Sequence, residues 1–543
     1  MDGNKSKVRQ AVKRKVTMGT RRIVIILLWL ALWQLAAVWT DNQILLVGPA
    51  EVLYALAQNV ASPVFLKIIC YSLIRIGLGF FLALFLGLLL GAVGYRLPVV
   101  AEILEPAVQA LKSVPVASFV VLLLIWFGSG KLSFFISLLI VFPNVYVNTI
   151  AGLKSTDTKL LEMARVFGMG RRNRFFYIYR PALMPYLNSC LKVSLGMGWK
   201  SGVAAEVIGL PDYSLGERLY MSKIYLDTAD VFAWTITVIL VSYVFEKAVL
   251  RIIRVAGAWK PYPACAIKEG GTQKPYLPCA VARGRRREKD VQQLGAPVIK
   301  ISHVYKSYGG MPVLQDCSME MEAGQRYLLM APSGAGKTTL LRILTRLDNA
   351  DKGQVINTAE CIGMVFQEDR LCEEYDALCN IMLGMSEVGT DLVVQRWQNC
   401  LNSRDRQACG DKKNQARTHG KFRQGRINGK QQIVDYVKRE ACMILPEDCL
   451  TKPVRELSGG MRRRVAFLRA VLSDACFLIL DEPFAGLDED SRIRCGEYLM
   501  DRLEGRTLLA TTHREDDGRL LRGTVFRISL KDGLGRETCR KET

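Results

Sequence analysis

Long uncharged apolar runs fill the first 255 residues and leave such a chain few folds to choose from. A hydrocarbon core about 30 Å thick takes roughly 20 residues of helix, and every backbone amide in it must be bonded within the segment. Ile23–Trp39, Ile76–Tyr95, Val114–Gly130 and Leu132–Leu153 carry no charge at all. Pro181–Leu210 is interrupted by Lys192, Lys200 and Glu206, and Val231–Leu250 is apolar until Glu246. The expectation is an all-α membrane domain of six spans over residues 23–254, behind a basic tail at 1–22. The first run is long, ends in Trp39 and lacks a small-residue cleavage site, so it reads as a retained anchor, not a signal peptide.

The formal net charge of +22 fits a membrane better than a nucleic acid, because Lys and Arg cluster beside the apolar runs. The tail and the loop Lys154–Arg180 are rich in both, whereas the loops Asp41–Glu51 and Asp212–Asp230 are not. Both termini and the 154–180 loop therefore fall on the cytoplasmic side of a multi-pass protein of the cytoplasmic membrane. No nucleic-acid partner is expected. The 15 cysteines form no C-x-x-C pair and the histidines number 3, which argues against zinc and for reduced thiols. Lys200 and Glu206 fit two readings. They line a translocation path, or Lys192 and Glu206 lie near the interfaces and snorkel while Lys200 pairs internally.

Beyond a Gly-, Pro- and Arg-containing linker at 255–297, the chain changes to a soluble α/β pattern over 298–543. Arg326–Ala331 reads as a short strand, and helix-forming residues follow Lys337. Between them Ala331-Pro332-Ser333-Gly334-Ala335-Gly336-Lys337-Thr338-Thr339 has the make-up of a phosphate loop, whose amides and helix N-terminus cradle phosphate oxygens. Lys337 would neutralise β- and γ-phosphates, and Thr338 would hold Mg²⁺. Ala331 stands where the pattern has its first glycine; if that position needs a positive φ, the strain is about 1 kcal/mol. A second apolar strand, Phe477–Leu480, ends in Asp481-Glu482-Pro483. Asp481 would reach Mg²⁺ and Glu482 would polarise an attacking water as general base. ATP and Mg²⁺ are thus the expected cofactors.

Leu457-Ser458-Gly459-Gly460-Met461 then narrows the field, because with the phosphate loop it resembles the ATP-binding cassette ATPases. In the cytoplasmic loop, Glu162-Met163-Ala164-Arg165-Val166-Phe167-Gly168 and Ile178-Tyr179-Arg180-Pro181 resemble the docking pattern of binding-protein-dependent permeases, with Met163 for an alanine and Arg180 for a leucine. Glu162, Ala164, Gly168 and Pro181 carry that pattern: a short helix, a turn, and a proline restarting the next span. Leu111–Pro115, Leu124–Gly128 and Asn148–Leu153 are similar to the nitrate, sulfonate and taurine permeases.

The resemblance implies further roles. Gln367 would contact Mg²⁺ and sense the permease, Asp488 would lie in a loop crossing a dimer interface, His513 would meet the γ-phosphate, and Tyr308 would stack on adenine. Ser458, Gly459 and Gly460 would serve the nucleotide of a second copy, so one membrane unit and one cassette per chain imply a homodimer. Arg463 replaces the usual glutamine of the signature helix. Between Gln367 and Leu457 the chain is longer than the family usually needs, and 399–432 is polar and basic, as in a disordered insertion. The fold expected is a type I importer permease fused to an α/β P-loop ATPase with a helical subdomain. The function expected is ATP-driven import of a small solute with an extracytoplasmic solute-binding protein. Alternatives are an exporter or a membrane ATPase that signals without moving solute.

Overall fold

The computed structural model describes residues 21, 24–40, 42, 44–258, 297–332, 334–359, 361–385, 429–528 and 539–541. The basic tail apart from Arg21, most of the linker and residues 386–428, with most of the expected insertion, lie outside them. Residues 429–432, expected inside that insertion, open a helix Gly429–Ala441. The described chain divides into two compact units, Met1–Ser155 with Ala182–Lys260, and Thr156–Pro181 with Pro261–Thr543.

In chain order the helices up to the linker are α1 (Val24–Thr40), α2 (Pro49–Ala61), α3 (Phe65–Arg96), α4 (Pro98–Ser113), α5 (Val116–Phe127), α6 (Ser129–Lys154), α7 (Thr158–Val166), α8 (Arg171–Arg174), α9 (Arg180–Gly209), α10 (Leu215–Ile224) and α11 (Thr228–Ala258). Two of them, α3 and α6, are both long and apolar enough to cross a bilayer, and α1 is apolar but shorter. The uncharged run Val114–Gly130 does not form the single straight span expected of it. Extended Val114 precedes Pro115, and Gly128 at φ 72° stops the helix, leaving 12 residues in α5. At 1.5 Å per residue these reach about 18 Å, well short of the hydrocarbon core. With α4 they make a pair bent by 105°, so the described spans number up to three by length and composition where six were expected. Helix α11 also continues through Ala258, past the expected start of the linker at 255.

The core of the first unit gathers Trp199, Phe80, Ile76, Leu191 and Phe245 from α3, α9 and α11. Close approach of α3 to α6 depends on small residues. A Cβ at Gly79 would lie 2.2 Å from the Phe134 carbonyl oxygen, and one at Gly87 2.7 Å from Val145. Such packing does for membrane helices what hydrophobic exclusion does in water. Of the two charges for which a translocation path was one reading, Lys200 is exposed and Glu206 is wholly buried. Glu206 Oε2 accepts from the Ser72 hydroxyl at 2.7 Å and from the Gly216 amide at 3.3 Å, pinning the N-terminus of α10. Its surroundings are those of a structural brace.

The second unit holds two sheets. A three-stranded antiparallel sheet has the order β2-β1-β4, with β1 at Pro297–Tyr308, β2 at Met311–Glu322 and β4 at Lys352–Asn357. A six-stranded sheet has the order β5-β6-β7-β3-β8-β9. Its strands are β3 (Arg326–Met330), β5 (Ile362–Val365), β6 (Phe477–Asp481), β7 (Thr507–Thr512), β8 (Thr524–Ile528) and β9 (Cys539–Lys541). The first five in that order run parallel and only β9 pairs antiparallel. β6 and β7 are buried at every position, which explains the continuous rather than alternating apolar run Phe477–Leu480 of β6. This α/β architecture agrees with the sequence expectation.

Replacing Gly79 by Val should force α3 off the Phe134 carbonyl. Overpacking of this kind costs about 1–3 kcal/mol, so the detergent-purified variant should melt measurably lower than the parent in a thermal unfolding scan. An unchanged melting curve would show that the α3–α6 contact tolerates a side chain.

Candidate active site

Four neighbouring strands of the parallel sheet, β5, β6, β7 and β3, end on the same edge, and each is followed by a residue singled out in the sequence. Gln367 follows β5, Glu482 follows β6, His513 follows β7, and the phosphate loop follows β3. The sheet register alone brings them together, since Asp481 pairs with Thr511 and Met330 with Thr512. Carboxyl ends of parallel strands are where such sheets bind ligands.

Gly336 caps the helix Lys337–Leu344 in the left-handed conformation, and the side chain of Lys337 is buried. Its ammonium donates to the Ala331 carbonyl at 2.6 Å and the Pro332 carbonyl at 3.3 Å, and stands 3.4 Å from both ring nitrogens of His513. Burial lowers its pKa, against the attraction of Glu482 and Asp481. Ala331 is not among the described residues with positive φ, so its missing glycine carries no backbone strain. Thr338 is exposed beside Lys337, Thr339 is half-buried and Ala335 is buried. Ser333 lies outside the described residues.

Asp481 is buried, and one carboxylate oxygen accepts from the Thr511 hydroxyl at 2.7 Å. Burial pushes its pKa up, while Thr511, Arg463 and Lys337 pull it down and Glu482 adds to the rise. A desolvated carboxylate next to the charged groups of Glu482 and Lys337 has the chemistry to hold a divalent cation. Glu482 sits at φ 47°, a conformation rare for a side-chain-bearing residue and found where function demands it. Its amide donates to Thr511 Oγ1 at 3.1 Å, and its carboxylate lies 2.6 Å from His513 Nε2. Thr511 thus fixes both acids. Thr512 donates to Asp517, which Arg492 holds at 3.0 Å, steadying the turn that bears His513. Sequence reasoning misses Thr511, one of three threonines in β7, because its pairing with Asp481 exists only in the sheet register.

Other expected ligand residues lie further apart. Tyr308 is exposed, hydrogen-bonds Asp348, and neighbours Thr339. Ser458 caps the helix Gly459–Val471, accepting from the Met461 amide at 3.4 Å. Gly460 approaches Gly486 and Leu487, and Asp488 caps the helix Glu489–Arg502 through the Ser491 amide. Among the described residues no hydrogen bond joins Ser458, Gly459, Gly460 or Asp488 to the phosphate loop of their own chain.

The loop Thr156–Pro181 belongs to this unit. Asp157 caps α7 through the Lys159 amide at 2.8 Å. Gly168, at φ 59°, closes the helix: its amide donates to Arg165 and the Met169 amide to Ala164 at 2.8 Å, a paired C-terminal cap that calls for a left-handed residue. Met163 and Ala164 are fully buried in the ATPase core with Phe167, Met169, Tyr177 and Ile178. Glu162 accepts a two-pronged bond from Arg342, at 2.8 and 3.1 Å, and another from Arg370 at 2.7 Å. Burial raises the Glu162 pKa, but the two guanidinium groups more than offset this and leave it below the ordinary range. Lys159 pairs with Glu368 at 2.6 Å, and the Tyr375 hydroxyl donates to the Phe176 carbonyl at 2.8 Å. Arg342 and Arg370 were missed in the sequence because their partner lies some 200 residues away, beyond any local pattern.

Pro181 stands in the first turn of α9, as expected, but no break precedes it. Helical structure continues from α8 through a π-helical segment Phe175–Tyr179 into α9, with the Arg180 amide bonding back to Phe175. Proline lacks an amide hydrogen and its ring crowds the carbonyl four residues back, which favours a widened turn there.

Two families match this chain. Residues 83–254 match the binding-protein-dependent transport system inner membrane component, and 314–485 match the ABC transporter family. The taurine transport system permease protein TauC of Escherichia coli K12 is 26% identical over 260 residues, 47% of this chain and 93% of its own length. The aliphatic sulfonates import ATP-binding protein SsuB 1 of Pseudomonas savastanoi pv. phaseolicola is 30% identical over 231 residues, 42% of this chain and 79% of its own. The taurine import ATP-binding protein TauB of Shigella dysenteriae is 27% identical over 248 residues, 44% of this chain and 82% of its own.

The lowered pKa of Glu162 makes a prediction about acid. Its contribution to loop docking is complete above the ordinary value of 4.5 and is lost as pH falls through the depressed one. Between about pH 5 and pH 3, wild-type protein should lose melting temperature faster than Glu162→Gln. Parallel curves would place the ionised carboxylate outside the docking energy.

Proposed function

We propose a function from one premise: the chain belongs to the ABC transporter family and carries a binding-protein-dependent permease and its ATPase in one polypeptide. It imports a small solute across the cytoplasmic membrane at the expense of ATP. The relatives' names point to sulfonate or taurine-like solutes, delivered by an extracytoplasmic binding protein. The observation that carries this reading is the grip of Arg342 and Arg370 on Glu162, which ties a permease-type loop to the helix that follows the phosphate loop. An exporter would have no use for that loop pattern.

Two copies would close on two nucleotides. Lys337 releases its own loop carbonyls and binds the β- and γ-phosphates, with the amides of Gly334, Ala335 and Gly336 around them. Thr338, Asp481 and Gln367 would hold Mg²⁺, which offsets phosphate charge when bound. Ser458, Gly459 and Gly460 of the second copy close over the γ-phosphate, with Asp488 at the crossing, and Tyr308 stacks on adenine. Glu482 takes a proton from the attacking water, the new P–O bond forms at the γ-phosphorus, and the bond to the bridging oxygen breaks to leave ADP and phosphate. His513, already 2.6 Å from Glu482, orients that carboxylate and the γ-phosphate. Motion of Gln367 and Glu368 passes to α7 through Lys159 and Glu162.

Removing the general base typically costs 10²–10⁴-fold in rate. Glu482→Gln should therefore keep nucleotide affinity and lose about a hundredfold or more in hydrolysis, read by fluorescent-nucleotide titration and phosphate release. Near-normal hydrolysis would remove Glu482 from the chemistry. In proteoliposomes, ATP with a binding protein loaded with a sulfonate should drive uptake, and extrusion or ATPase activity indifferent to the binding protein would overturn the import reading.

A further inference from the structure

Arg463 departs from the signature pattern, yet it is one of the most fully engaged side chains in the ATPase unit. It sits on the helix Gly459–Val471 and is 4% exposed. A guanidinium offers five N–H donors in a fixed plane, and here they reach two separate turns. On one side Nη1 donates to the Phe366 carbonyl at 2.7 Å, the Gln367 carbonyl at 3.2 Å and the Asp369 carboxylate at 3.2 Å. On the other, Nη2 donates to the carbonyls of Asp481 at 2.8 Å and of Glu482, and Nε to that of Pro483 at 3.3 Å. The first turn carries Gln367; the second carries Asp481 and Glu482.

Three successive carbonyls can converge on one cation only if the chain coils tightly between them, and the positive φ of Glu482 supplies that coil. The guanidinium in return offsets the repulsion among those carbonyls and holds Glu482 in a conformation it would otherwise avoid. Six residues on, Arg469 of the same helix donates to the carbonyls of Asp369 and Arg370 at 2.8 and 2.7 Å. Arg370 in turn grips Glu162. One helix therefore fastens the acid turn, the glutamine turn and the loop-binding arginine together.

We propose that Arg463 is a positioning residue for ATP hydrolysis, locking the Glu482 turn and the Gln367 turn into one body so that the general base keeps a fixed aim. It touches no substrate. Lysine, a single point of charge, and glutamine, with one amide, can each hold one turn and not both. Misplacing a reacting group by an ångström costs up to a hundredfold.

The test uses the full chain in lipid nanodiscs, with Arg463→Lys, Arg463→Gln and Arg463→Ala. Steady-state ATPase kinetics, fluorescent-nucleotide affinity and melting temperature are measured together. The expected result is a kcat lowered about tenfold or more in the Lys and Gln variants, with KM and nucleotide affinity within about twofold and a folded melt, and a deeper loss for Ala. Should Ala fail to fold, Lys and Gln, which refill the space, decide the matter. A kcat within twofold of the parent in both, or a kcat that falls only in step with nucleotide affinity, overturns the assignment.

Discussion

A single carboxylate held by two arginines is the contact on which the second unit is organised. Glu162 projects from a short helix that belongs by sequence to the membrane half and by packing to the ATPase core. Charge-assisted hydrogen bonds to a partly shielded carboxylate are worth roughly 1.5–3 kcal/mol each before solvent screening. Around them the contact is apolar: Met163, Ala164, Tyr177 and Ile178 are buried. Burial gives the loop its strength and the ion pair its register. Because Arg342 lies on the Lys337–Leu344 helix and Arg370 close behind Gln367, the helix after the phosphate loop and the Gln367 segment share the one carboxylate.

The proposed nucleotide site shows the same economy. Parallel strands of equal register present their following residues on one edge, so little side-chain engineering is needed to assemble lysine, acid pair and histidine. What remains is orientation, supplied by buried groups that touch no ligand. Thr511 fixes the two acids, Asp517 steadies the His513 turn, and Arg463 joins the turns of Gln367 and Glu482. The Lys337 ammonium, folded back on its own loop carbonyls, is a cation in search of an anion.

The α/β half was legible because its signals are local. An apolar strand followed by a glycine-rich loop, or by Asp-Glu-Pro, declares both element and chemistry within ten residues. The docking helix was legible for the same reason: Gly168 marks its end. The membrane half was harder, because composition tells that a run is apolar and not whether it is straight. Pro115 and Gly128 break a run that hydropathy treats as continuous, and the first turn of α9, which holds Pro181, follows a π-helical segment without a break. Arg463 read only as a replacement for the usual glutamine because its carbonyl partners come from two distant turns. Glu206 fitted two readings in the sequence because its partners, Ser72 and Gly216, are invisible until the chain folds.

The most direct measurement of the central claim is a charge exchange across the docked loop. Glu162→Arg and Arg342→Glu should each uncouple ATP hydrolysis from solute uptake in proteoliposomes, and the double variant should recover a substantial part of the coupling. If the double variant is no better than the worse single one, or if either single variant transports normally, the Glu162–Arg342 pair does not carry the link between nucleotide and membrane.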